Sequence, residues 1–297
     1  MRNRLTPLTL IFLAFLLLAT ACAPARLSQF RSFSQAGVSY VKASEAFLDE
    51  AGAAAIKGDT TLLLRARPDL SEAERRKQLL ANNRLLRERL LLLNQLKTHG
   101  NLLREYFEIL GLLADSKAPA PLTASAQNVF AGLSKLAPSL RSASLGGVSI
   151  ESRLPAVLNL AVAPFKARAL ENELKERGPA IERELALQEA ALTLLSEELR
   201  KDLTILANAV ETRDLITPFA SAPDVPSNWP ARRAEILHSQ VTSESANAAA
   251  NAAAKLRAAF QRLASNQLDP AALSSLTAEI SALVNLTGAI KTAGANP

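Results

Sequence analysis

The stretch from Ser71 to Asp115 reads SEAERRKQLLANNRLLRERLLLLNQLKTHGNLLREYFEILGLLAD and contains no proline. Ser71 and Glu74 stand three apart at its start, the spacing of a capping box. In that motif each side chain bonds the other residue's backbone N–H, and two donors that a helix end leaves orphaned are satisfied. Leu79, Leu86, Leu93, Gly100, Phe107 and Ala114 then recur every seven residues, with Leu96, Leu103 and Leu110 as a second seam. Leu85, Leu92, Tyr106 and Leu113 widen the apolar arc beyond a two-stranded seam, so the helix is expected to touch several others. At 1.5 Å per residue it is roughly 65 Å long, which sets the scale of a rod.

The same pattern extends in both directions. Upstream, Phe33, Tyr40, Phe47 and Ala54 form one seam, and Phe30, Gly37, Ser44 and Ala51 a second. Rings alternating with small residues let a neighbouring helix approach closely and receive the rings. This predicts a helix from about Leu27 to Lys57, ended by Gly58-Asp59, with Arg67-Pro68-Asp69-Leu70 as the loop. Downstream, an amphipathic segment from about Thr123 to Leu136 is expected to stop at Pro138. Ser142 to Ile150, with Gly146-Gly147, reads as a hinge or domain boundary. A long helix is then expected from near Pro155 to Asp214, its stripe running Leu174, Ile181, Leu185, Leu192, Leu195, Leu199, Leu203, Leu206 and Val210. Gly178-Pro179 interrupts the residues but not the phase of that stripe, which predicts a kink.

After a Pro-rich loop, one helix is expected from Ser227 to Ser265, with Leu237, Val241, Ala248, Ala252, Leu256, Phe260 and Leu263 on its apolar side. Asp269-Pro270 is an N-cap and first-turn pair for a last helix reaching about Thr287, with a fraying tail from Gly288. Ala, Leu, Glu, Arg and Lys dominate the composition, and only 11 Gly and 13 aromatics occur in 297 residues. These are helix formers, and β-branched residues are scarce. The expected fold is all-α: an elongated bundle of about five to seven long antiparallel helices with coiled-coil-like packing. The N-terminal part (22–145) and the C-terminal part (146–297) are expected to pack together as one bundle.

The first 22 residues differ in kind. Arg2 and Arg4 precede an apolar run from Leu8 to Leu18, and Leu18-Ala19-Thr20-Ala21 leads to Cys22, the only cysteine. This resembles a bacterial lipoprotein signal peptide, with residues 1–21 removed and Cys22 lipidated. The resemblance covers residues 1–22 alone. It implies a lipid-anchored envelope protein, with Ala23 after the cysteine pointing to the outer membrane and the periplasm. Two or more acyl chains hold a protein stably, so no membrane-spanning segment is needed, and none is expected downstream. Without Arg2 and Arg4, 32 basic residues face 28 acidic ones, which is too even to imply a nucleic-acid partner.

Few residues carry chemistry. Glu235 and His238 share a helix face, but bundle metal sites use that element twice with glutamates opposite. Ser39-x-x-Lys42 matches the nucleophile element of penicillin-interacting enzymes, yet no Ser-Asp-Asn or Lys-Thr-Gly follows. Glu171, Glu173 and Glu176, like Glu197 and Glu198, read as solvated helix faces. His99 has no such helical partner. No enzyme, cofactor or metal is expected. The most uneven charge is between Arg65 and Arg89, where eight basic residues face four acidic. Within it Arg76, Lys77, Arg84 and Arg87 fall within about 100° on one helix side, a possible contact for anionic lipid or an acidic partner. The function expected is a non-enzymatic scaffold, spacer or adaptor, anchored in the membrane by its N-terminal lipid and meeting a protein partner or itself through helix faces. The alternatives are a sensory or ligand-binding lipoprotein with a pocket between helices, and a membrane-active helical protein.

Overall fold

The computed structural model describes residues 7–115, 119–156, 160–164, 168–221, 224–239 and 246–295; its side chains are described from residue 27 onward, apart from 115, 238, 239 and 293–295. The fold is an all-α bundle of α1 (Pro7–Ala66), α2 (Glu72–Asp115), α3 (Ala120–Ser142), α4 (Arg168–Glu211), α5 (Thr217–Ser221), α6 (Trp229–Ser239), α7 (Ala248–Ala264) and α8 (Pro270–Ala295). Ser71 donates its N–H to Glu74 Oε2 at 2.9 Å, which is the capping box at the head of α2. Asp269 Oδ1 likewise accepts the N–H of Ala272 at 2.6 Å and opens α8.

Cross-helix bonds set the directions. Ser34 donates to the Phe107 carbonyl, Asn101 to Glu45, Lys97 to Asp49 and Asn82 to Asp59. Numbers rise along α1 as they fall along α2, so the pair is antiparallel. Arg89 with Asp202 and His99 with Gln188 make α2 and α4 antiparallel too. Arg257 with Glu182 and Asn247 with Arg200 do the same for α4 and α7. Helix α4 therefore runs with α1 and against α2 and α7, and it packs on α1, α2, α3 and α7.

The ring-and-small-residue seam of α1 is buried throughout: Phe30, Phe33, Tyr40 and Phe47 are at 1% exposure or less. Gly37 takes the ring of Phe107, so close that an added Cβ would lie 2.6 Å from it. Phe33 meets Phe107 edge-on at 5.6 Å and Phe260 of α7 at 6.0 Å. One core joins residues of α1, α2, α3, α4, α7 and α8.

Several boundaries differ from the expected ones. Helix α1 passes through Gly58 to Ala66, and Gly58 admits Asp202 of α4, whose Cβ would be 3.5 Å from a Cβ there. Pro138 lies inside α3; packing of Leu133, Ala137 and Leu140 around it offsets the lost bond and the ring clash. Helix α4 begins at Arg168, not near Pro155. Ahead of it, Leu160 is laid over Gly178 and the Ala163 N–H is bonded to the Ala264 carbonyl. Gly178-Pro179 does not break α4.

The glycine pair Gly146-Gly147 turns a two-residue β-hairpin, strands Ser144–Leu145 and Val148–Ser149. Its φ angles of 56° and 82° are the left-handed values a tight hairpin turn requires. The expected single helix from Ser227 to Ser265 is assigned as α6 and α7, Leu237 is 47% exposed, and Val241 lies outside the described residues. Helix α8 continues past Thr287 to Ala295, because Ile290 is still buried. Its stretch Pro270–Thr292 is long and apolar enough to cross a membrane, with mean hydropathy 1.3, which the absence of an unbroken apolar run had concealed. Leu276, Ile280, Leu283, Leu286 and Ile290 are buried in the core, and α8 packs on α1 and α7.

Gly37→Ala should destabilise the fold by about 1–2 kcal/mol in urea unfolding, overpacking against Phe107 outweighing the gain in helix propensity. Gly288→Ala, where nothing lies within 4 Å, should stabilise by up to about 1 kcal/mol.

Candidate functional site

Because α4 is covered on several sides, its polar residues go inside with it. Glu173, Arg177, Glu182, Glu184, Gln188, Ser196 and Asp202 are all buried. Glu184 Oε2 lies 2.9 Å from His99 Nε2, and Gln188 Nε2 lies 2.9 Å from His99 Nδ1 and 3.4 Å from the Leu96 carbonyl. A carbonyl can only accept, so the Gln188 nitrogen is a donor; Nδ1 accepts from it, and the proton on Nε2 points to Glu184. An imidazole–carboxylate pair is a general-base arrangement where it opens on a cleft. Here His99 is 0% exposed and the Glu184 side chain 6%, so the pair fixes α2 against α4.

Arginines tie the other buried carboxylates. Arg257 of α7 donates to Glu182 at 2.7 Å, to Glu189 at 3.1 Å and to the Ala156 carbonyl at 2.6 Å, while Gln261 adds a bond to Glu182 at 2.6 Å. Arg177 pairs with Glu173 one turn away. Burial pushes the carboxyls of Glu173, Glu182 and Asp202 above their ordinary values even with guanidinium partners beside them. Burial, then the nearby Glu173 charge, pushes the Tyr106 hydroxyl well up as well. Glu173 is thus a correction to the solvated face expected of Glu171, Glu173 and Glu176. At 1% exposure it faces inward, because α4 has neighbours where an outer helix would have water.

The opposite character appears past the Arg89–Asp202 pair (2.6 Å), the last closed layer at one end. From Asp202 the chain continues 19 residues through a π-turn (Thr212–Ile216) and α5 to Ser221, about 28 Å at 1.5 Å per residue. From Arg89 back to Glu72, α2 extends about 26 Å in the same direction. No residue between 62 and 91 is buried. Among the described residues, Leu62, Leu64, Leu79, Leu80 and Leu85 are strongly exposed on the hairpin past this layer and Ile56 and Leu91 next to it, while Ile216, Phe219, Val225 and Leu237 are exposed on the segments that follow α4. Leu79 and Leu85 were expected in the core, but α1 alone does not enclose them on this part of α2, and both are exposed. Phe219 stacks on Trp229 at 5.4 Å, with Arg233 5.9 Å over the indole. Bonds from Arg213 and then Arg232 hold the Asp214 carboxyl down at about 2.

The residues singled out in the sequence fall as follows. Arg76, Lys77, Arg84 and Arg87 are exposed together on α2 at this uncovered end. Cys22 falls within the span of α1, but its side chain lies outside the described residues. Glu235 is exposed and paired with Arg232 at 2.7 Å, while the side chain of His238 lies outside the described residues. Ser39 and Lys42 are exposed on α1. The His99–Glu184–Gln188 contact was missed, since its members are 85 and 89 residues apart and no local spacing announces it. Between α7 and α8 an open groove of about 440 Å³ is lined by Asn247, Asn251, Glu279, Asn285, Leu286 and Ala289. No family model, no curated protein and no solved structure matches the chain.

Arg257→Met should cost about 3–5 kcal/mol in urea unfolding, because Glu182 is left buried without its cation. Arg257→Met with Glu182→Leu should recover most of that loss. The raised carboxyls hold their protons more tightly folded than unfolded. Their contribution is complete below the ordinary carboxylate range and is lost as pH rises through the raised values. The lowered Glu74 and Asp214 act the other way: their contribution is present above that range and fades as pH falls through theirs. The melting temperature should be higher at about pH 5 than at about pH 8, and Glu173→Gln should narrow the difference.

Proposed function

We propose that the chain is a lipid-anchored, non-enzymatic protein of the bacterial envelope, a spacer or adaptor that presents a contact surface at a distance from its anchor. The observation that carries the reading is the polarity of α1. With residues 1–21 removed, Cys22 would begin this helix, and the uncovered hairpin lies at its other end, 44 residues or about 66 Å away. Between them the bundle is closed by a continuous core, inside which His99 is paired with Glu184 and Arg257 with Glu182. Three acyl chains on Cys22 would hold the chain at a membrane without a spanning helix. The exposed apolar side chains gathered at the far end are the part of the surface that gains by being covered.

Intact-mass analysis of the chain isolated from bacterial membranes should show residues 1–21 missing and an acyl adduct on Cys22. Cys22→Ser should abolish the adduct and release the chain from the membrane fraction. Met1 retained with no adduct would overturn the anchoring.

A further inference from the structure

We infer that the uncovered end of the bundle, the α1–α2 hairpin, docks on an anionic lipid surface through α2; this deepens the spacer reading by naming what the far end meets. At 100° per residue, Arg76, Lys77, Leu80, Arg84, Arg87 and Leu91 fall within about 100° of one another on the solvent side of α2. All six are exposed, and the sector between them contains no acid. Arg76, Lys77 and Arg87 make no ion pair among the described residues. Arg84 reaches only Glu88, at 3.9 Å and with both side chains more than 60% exposed, a contact too solvated to neutralise it.

Charge is concentrated here in a way that the whole chain is not. Eight basic residues face four acidic ones between Arg65 and Arg89, while the rest of the chain after residue 21 balances 24 basic against 24 acidic. Attraction to an anionic surface therefore acts on this end. The mixture of side chains decides between a bilayer and a folded acidic partner. A protein interface gathers its apolar residues into a core with a polar rim. On this face leucines and cations alternate along the helix, as they do where a helix lies at the head-group boundary: leucines enter the acyl edge, and long cationic stems reach the phosphates.

The test loads the full chain into phosphatidylcholine donor vesicles, confirms loading by co-flotation, and measures capture on immobilised acceptor vesicles of phosphatidylcholine alone or mixed with phosphatidylglycerol. Wild type should bind the anionic acceptors at least about ten-fold better than the neutral ones, and added salt should weaken capture. Arg76→Glu with Arg84→Glu and Arg87→Glu should remove that preference, and Leu80→Ser with Leu91→Ser should weaken capture while keeping its salt dependence. All five positions are exposed, so circular dichroism should be unchanged. Loaded donors that ignore anionic acceptors, or that bind both acceptors alike, overturn the lipid assignment and leave an acidic protein as the occupant. Donors that fail to load count against the anchoring alone, and co-sedimentation of the same chain from solution with the two acceptors then decides the docking.

Discussion

A helix packed on several sides has little solvated surface on which to keep its polar residues, and α4 carries many of them. Each must find its partner inside the bundle or bear the cost of lost hydration. The partners come from every direction: His99 from α2, Arg257 and Gln261 from α7, Arg89 from the far end of α2, and Arg177 from α4 itself. Leucines alone would tolerate sliding by a heptad. Arg257 placed between Glu182 and Glu189 while holding the Ala156 carbonyl does not, since any slip breaks three bonds at once. The buried charges thus specify the register of a rod whose apolar pattern is repetitive.

The two ends of the rod follow from where that enclosure stops. In the enclosed part, α1 contributes rings and small residues in strict alternation, and the helices close to the distance that Gly37 against Phe107 and Gly111 against Ser34 allow. Past Arg89 and Asp202 the seams of α1 and α2 still run, but only the two hairpin helices face one another. Leucines that would be core elsewhere remain in water there, beside most of the unbalanced positive charge in the chain.

Much of this was legible in the residues. The heptads of Phe33, Tyr40 and Phe47 and of Leu93, Phe107 and Leu110 gave the buried faces correctly, because helix geometry alone decides which side chains share a side. The two side-chain caps, Ser71 with Glu74 and Asp269 with Ala272, were equally local. The errors came where distant packing overrode a local signal. Gly58 looks like a stop, yet it is buried against Asp202 of α4 and the helix runs on through it; Pro138 looks like a breaker until Leu133 and Leu140 hold the helix on both sides of it. Glu173 looks like surface because its own helix says nothing about how many neighbours surround it.

The sequence by itself determined the all-α class, most of the long helices, the faces that α1 and the enclosed part of α2 bury and the location of the basic stripe, since periodicity, capping and charge are properties of neighbours along the chain. Only the tertiary structure decided that α4 is the enclosed helix, that His99 meets Glu184 and Gln188, and that the start of α2 is left uncovered. Those facts depend on which helices lie beside which, and on how far each extends past the others. Neither is encoded in the local repeat of any one of them.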